Sequence, residues 1–258
     1  MIFYKEKLGF LKLLNTPAGG RLYHGLRRVV HPQPAKAEPA DQRAELIKKM
    51  VPGKSFADIG SMWGINGYYA FLAEESGART VTAVDVYPES AEFLNEKAKR
   101  NSAIKFVQGD IHSRDTIEKI GVCDVVLCFG VLYHSPSPFD LLMRLRMICG
   151  QTFILGTALI PEMEGLQNVA VFWPFLSVAQ RNLWDLGGGL RMGLSGPYEP
   201  ESGYGNWFWG LTPTCVEALL ECTGFKIEER SVGPFGGTFV CQTALVKFEP
   251  VSGRWTTP

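Results

Sequence analysis

Ser55-Phe56-Ala57-Asp58-Ile59-Gly60-Ser61-Met62-Trp63-Gly64 is the stretch that decides the fold of this chain. A short apolar run with one embedded acid ends in a turn that carries two glycines. Such a turn after a strand lets a ligand approach the backbone and sets it near a helix N-terminus. A glycine turn also serves simply to close a loop, so its surroundings carry the weight.

Outward from this turn, short apolar runs alternate with helical stretches. Residues 55–60, 79–86, 104–110, 122–131 and 152–159 read as strands. Residues 64–75, 88–100 and 138–147 read as helices between them, and a helix over 41–50, N-capped by Asp41, precedes the first strand. This alternation predicts an α/β fold, a doubly wound and mostly parallel sheet covered on both faces. From 160 to 210 the pattern gives way to glycines and aromatics. A helix over 213–222 and strands over 226–232 and 239–248 follow. The expected organisation is an N-terminal helical extension and linker over 1–40 and one domain over 41–258, with 160–210 as an insertion that covers the substrate.

Composition excludes several classes. With 46% hydrophobic residues in 258, the chain buries a sizeable core. No apolar run reaches about 18 residues, so no transmembrane helix is expected. The interleaved Lys and Glu of residues 1–14 do not resemble a signal peptide. The six Cys show no C-x-x-C spacing and read as buried free thiols, which suits a reducing, cytoplasmic setting. With 26 basic against 26 acidic residues the net charge is zero, which argues against a protein built mainly to hold nucleic acid. Residues 1–50 nevertheless carry ten Lys or Arg against four Asp or Glu. Amphipathic helices expected over 2–14 and 20–30 are open to three readings: a lid, a dimer contact, or a peripheral membrane contact. The sequence does not set the oligomeric state.

Three further positions belong with the glycine turn. Asp85 ends the second strand, 25 residues beyond Gly60, where an acid can accept hydrogen bonds from ribose hydroxyls. A solvated strand-end acid is the alternative. Asp110 ends the third strand and can face the edge of an adenine ring. The fourth strand ends in Phe129-Gly130-Val131-Leu132-Tyr133-His134, which puts an aromatic and a titratable group at the carboxyl edge of the sheet.

These motifs, DIGSMWG (58–64), AVD (83–85), QGD (108–110) and CDVVLCFGVLYH (123–134), resemble those of the class I S-adenosylmethionine-dependent methyltransferases in order and spacing. The likeness covers residues 41–160 and extends loosely to 248. It implies a Rossmann-like, seven-stranded sheet with S-adenosylmethionine as cofactor. It also implies roles for single residues. Asp58, Gly60, Ser61, Met62 and Gly64 would hold the methionine end. Asp85 would bind the ribose, Asp110 the adenine amino group, and Val86 and Ile111 would pack on the ring. Phe129 and Gly130 would line the cofactor near its sulfonium. Two bulky residues depart from the family pattern: Met62 stands where Gly is usual, and Trp63 follows. A loop of altered shape is therefore expected, with side chains partly closing the methionine pocket. A dehydrogenase would need a Tyr-x-x-x-Lys pair after the sheet motifs, and none follows.

Within the class, LYHSPSPFDLL (132–142) and the later NWFWGLTP…GF (206–225) are similar to the branch of the tRNA wobble-uridine carboxymethyltransferases and related small-molecule methyltransferases. In that branch Arg follows the Tyr-His pair and basic residues hold the extra carboxylate of a modified cofactor. Ser135-Pro136-Ser137 occupies the position here, which favours ordinary S-adenosylmethionine. Methyl transfer is an in-line displacement, governed largely by positioning. His134 is the candidate general base for a hydroxyl acceptor, and Tyr133 the candidate for orienting cofactor or acceptor; packing roles compete for both. Trp173, Arg181 and Trp207 are candidates for the acceptor region, the aromatics enclosing an apolar substrate and Arg181 meeting an anionic group. No metal site is expected. The resulting expectation is O- or N-methylation of a small molecule. The alternatives are a carboxy-S-adenosylmethionine-dependent tRNA carboxymethyltransferase and a non-catalytic cofactor-binding module.

Overall fold

The computed structural model describes residues 42–177, 180–181, 197–233 and 236–245. The Asp41 cap and the helices expected over 2–14 and 20–30 lie outside the described residues. Chain contacts divide the described residues into two units, 42–172 with 208–245 and 173–207.

The larger unit opens with α1 (Gln42–Met50) and β1 (Ser55–Ile59), followed by α2 (Tyr68–Glu75) and β2 (Thr80–Asp85). Next come α3 (Ala91–Arg100), β3 (Lys105–Gln108), α4 (Arg114–Ile120) and β4 (Cys123–Phe129). A 3-10 turn (Leu132–His134) then leads into α5 (Pro138–Ile148) and β5 (Cys149–Ala158). Two short strands, β6 (Ala170–Phe172) and β7 (Trp209–Leu211), pair antiparallel. α6 (Pro213–Cys222), β8 (Phe225–Val232) and β9 (Gly236–Thr243) complete the unit. Among the described residues the main sheet has seven strands in the order β3-β2-β1-β4-β5-β9-β8. β1 to β5 pair in parallel, and β9 joins antiparallel to both β5 and β8.

Strand alternation accounts for the two covered faces. Successive side chains of a strand point to opposite sides. Ala57, Ile59, Val126 and Cys128 enter one apolar cluster, with Leu141, Leu145 and Leu220 from α5 and α6. Phe56, Val125 and Leu127 enter the other, with Ile47, Ala70 and Phe93 from α1, α2 and α3. A strand buried on both faces must be apolar at nearly every position, which is why β1 and β4 read as continuous runs.

Local signals set the helix ends. The Ser90 side chain accepts from the Phe93 amide at 3.1 Å and starts α3 three residues after the expected Pro88. α2 begins at Tyr68 instead of Gly64 because Gly64, Asn66 and Gly67 all have positive φ and cannot lie within a right-handed helix. α4 has seven residues, too few for a clear helical period. Five of the six thiols are buried and free, as expected, and Cys222 is exposed. Burial pushes Cys149 and Cys241 up to about 12, so both stay protonated. No helix among the described residues is long and apolar enough to cross a membrane.

Candidate functional site

Sheet register gathers the sequence motifs. Ile59 pairs with Val84 on one side and Cys128 on the other, and Asp85 pairs with Gln108. The chain segments leaving β3, β2, β1 and β4 therefore emerge side by side at one carboxyl edge. They are Gly109-Asp110, Asp85-Val86, Gly60-Ser61 and Phe129-Gly130. The strand order turns back between β1 and β4, the place where open α/β sheets form a ligand crevice.

The turn after β1 is tied to β2. The Gly60 and Ser61 amides both donate to the Val84 carbonyl, at 2.9 and 3.1 Å. Gly60 has φ +83°, and a Cβ there would lie 2.5 Å from Val131 Cγ2. Only glycine meets both conditions at this crossing of the β1 and β4 turns. The Met62 amide donates to Asp85 Oδ2 at 2.7 Å, and the Tyr87 amide donates to Oδ1 at 2.9 Å. Asp85 is thus a brace for the turn, and each of its oxygens retains a further lone pair for a ligand hydroxyl.

Met62 does not need the glycine usual there, because its φ is not positive. Its side chain is buried in the apolar cluster with Tyr69, Phe71 and Phe93. Trp63 is 68% exposed and its ring sits 5.4 Å from that of Tyr87. The two departures from the family pattern thus go in opposite directions, one side chain into the core and one out to solvent.

Asp58 is 1% exposed, and its Oδ2 has no hydrogen-bond partner. Burial, and then the neighbouring Asp85 charge, push its carboxyl up to about 7, against the opposing effect of the Ala70 amide. A buried carboxylate oxygen without a partner is costly unless a donor arrives. An ammonium group such as the α-amino group of S-adenosylmethionine would be a fitting one. Asp110 Oδ1 accepts from the His112 amide at 2.9 Å, and Ile111 beside it is buried. Val86 is half-buried, and its carbonyl accepts from Gln108 Nε2 at 3.3 Å. The residues present therefore fit the cofactor that the resemblance implies.

At the β4 end, the Phe129 ring packs directly on Gly156 of β5, where a Cβ would fall within 1.8 Å of the ring. Tyr133 is buried, and its hydroxyl lies 3.5 Å from where a Cβ on Gly130 would sit. Burial raises the Tyr133 phenol, with Arg43 opposing, so the group acts as a neutral phenol. The half-buried His134 ring packs against Tyr133, with ring centres 4.2 Å apart. The Tyr133 carbonyl accepts from the Phe208 amide at 2.9 Å.

Sequence reasoning missed Arg43. Its guanidinium lies 4.6 Å from the centre of the Phe129 ring and donates to the Tyr69 hydroxyl at 3.1 Å. No local pattern marks it, since α1 precedes β4 by more than seventy residues. The candidate acceptor residues all fall in the 173–207 unit. There Trp173 and Trp207 face each other with ring centres 5.8 Å apart, and Arg181 donates to the Leu176 carbonyl.

Comparison with known proteins agrees with this fold. Residues 57–149 match the family model described as a methyltransferase domain. A tRNA U34 carboxymethyltransferase of Nautilia profundicola is 31% identical over 123 residues, 46% of this chain and 38% of that protein. The chain thus spans well under half the length of that curated relative. The 1,6-didemethyltoxoflavin-N1-methyltransferase of Burkholderia thailandensis superposes with a TM-score of 0.53 at 14% identity, covering 86% of this chain and 84% of that one. The N-terminal domain of EvdMO1, solved with SAH bound, gives 0.53 at 17% identity over 81% and 82%. At these identities the structural likeness is one of fold. The family match spans the glycine turn and β1 to β4, so residues 57–149 match a methyltransferase domain, and the fold of the described residues agrees with that match.

Proposed function

We propose that this chain transfers a methyl group from S-adenosylmethionine to oxygen or nitrogen of a small-molecule acceptor. The main support is the meeting of Gly60, Asp85, Asp110 and Phe129-Gly130 at one sheet edge, beside the unpartnered oxygen of Asp58. The cofactor supplies an electrophilic methyl on a sulfonium. The protein's own residues supply position: Asp58 and the Gly60 turn hold the methionine end, Asp85 the ribose and Asp110 the adenine. Phe129 and Gly130 border the reacting end. A neutral His134 takes a proton from a hydroxyl acceptor as the new bond forms, and Tyr133 donates a hydrogen bond there. Trp173, Arg181 and Trp207 belong to the acceptor side in this reading.

A second reading rests on Arg43. Ser135 stands where the carboxymethyltransferase pattern has Arg, yet Arg43 brings a guanidinium to the Phe129 end of the site. A carboxylate on the transferred group could meet it there. The chain is therefore incubated with methyl-labelled S-adenosylmethionine and either a low-mass cell extract or bulk tRNA. Label is expected in the low-mass fraction, slowed at least about tenfold by His134→Ala. Label confined to tRNA, or transfer only from the carboxylated cofactor, would favour the second reading.

A further inference from the structure

Outside the motifs, a side-chain chain of hydrogen bonds joins two turns of the site. His112 Nδ1 lies 2.6 Å from Asp140 Oδ2, and His112 Nε2 lies 3.0 Å from Ser135 Oγ. The Ser137 amide donates to Ser135 Oγ at 3.1 Å. Arg144 Nε stands 3.4 Å from the other Asp140 oxygen. A carboxylate only accepts, so Nδ1 carries a proton. In the neutral ring Nε2 is left to accept from the Ser135 hydroxyl. Every link then has a donor and an acceptor. The order Ser-His-Asp invites a nucleophile reading, but Ser135 is 2% exposed. Its hydroxyl faces the protein interior and not a substrate.

The position of this chain gives it meaning. His112 follows Asp110 by two residues, and its amide already donates to Asp110 Oδ1. Ser135 follows His134 directly and caps the 3-10 turn that carries Tyr133 and His134. Asp140 sits in the first turn of α5. The β4 turn starts at Gly130, with φ +73°, and runs through Ser135-Pro136-Ser137. Gly130 gives the start of this turn conformational freedom, which its side-chain partners restrict. We propose that His112 is a positioning residue. Through Ser135 and Asp140 it holds the Tyr133–His134 turn in register with the Asp110 turn, so that the adenine end and the methyl end of the site move as one. This inference rests on the methyltransferase reading above for its purpose, but the coupling of the two turns can be observed without any ligand.

Trp209 provides that observation, because its indole Nε1 donates to the Pro136 carbonyl at 3.1 Å within the same turn. The test uses the full chain with His112→Ala, His112→Gln, Ser135→Ala and the double variant His112→Ala/Ser135→Ala. The Trp209 indole N–H resonance is followed without ligand, and S-adenosylmethionine binding is measured by calorimetry. His112→Ala and Ser135→Ala should each shift the Trp209 resonance and weaken binding about 5- to 10-fold. The double variant should be no worse than either single one, because both break one chain. His112→Gln, whose amide reaches toward Ser135, should recover most of the affinity and the resonance position. Ser135→Ala removes a single oxygen and keeps the test open should His112→Ala fail to fold. Unchanged binding in both single variants, or effects that simply add, would overturn the proposal while leaving the methyltransferase reading intact. If the unmodified chain does not bind S-adenosylmethionine, that reading fails, and an unmoved Trp209 resonance in folded Ser135→Ala overturns the coupling by itself.

Discussion

Asp85→Ala should weaken S-adenosylmethionine binding by about 100-fold or more, as measured by calorimetry on the folded variant. In the proposed reading, two charge-assisted hydrogen bonds to ribose hydroxyls would contribute about 1.5–3 kcal/mol each, and every 1.4 kcal/mol is a factor of ten. A second loss adds to the first. Asp85 accepts from the Met62 and Tyr87 amides, so its removal leaves the turn after β1 without its brace. Asp85→Asn separates the two effects, because its one carbonyl oxygen preserves one of these bonds. It should fall between the native chain and the alanine variant. Equal binding by native chain and Asp85→Ala would remove Asp85 from the cofactor site.

Asp58 should make the same binding pH-dependent. Its carboxyl sits at about 7 in the folded, ligand-free chain, well above the usual carboxylate value, chiefly through burial. A group whose folded pKa is raised binds more protons in the folded state than in the unfolded one. The stability it contributes is therefore full below pH 4 and is lost as pH rises through about 7. Asp58→Asn removes this slope and should raise the melting temperature of the ligand-free chain by a few degrees above pH 7. An arriving ammonium reverses the preference and draws the carboxyl toward its ionised form. Affinity for S-adenosylmethionine should therefore rise about tenfold between pH 5.5 and pH 7, with protons released on binding. The variant should bind weakly and without that dependence. A flat pH profile in the native chain would place the α-amino group away from Asp58.

The parts of this site that were legible in the sequence are those written in short, local patterns. Fully buried strands leave apolar runs, and the turns behind them leave Gly60, Asp85 and Gly109-Asp110 at fixed offsets. The sheet register then brings these together without further instruction. The start of α2 was misplaced because Asn66 takes a positive φ, which its residue type permits but does not announce. β6 and β7 are three residues each and exist through pairing across the 36 residues between them, from Ala170–Phe172 to Trp209–Leu211, which no local period records. The same holds for side-chain partnerships. Arg43 reaches Phe129, and His112 reaches Ser135 and Asp140, only through the packing of distant elements. Neither is marked by its neighbours in sequence. Met62 and Trp63 are the two bulky departures from the family turn, and burial separates them into a core residue and an exposed one.

The most direct test of the central claim is a calorimetric titration of the full, folded chain with S-adenosylmethionine near pH 7. The predicted result is saturable binding of one molecule per chain, with a dissociation constant on the order of 10 µM and proton release seen as a dependence of the heat on the buffer. A folded chain that gives no saturable heat would contradict the claim that this sheet edge is a cofactor site.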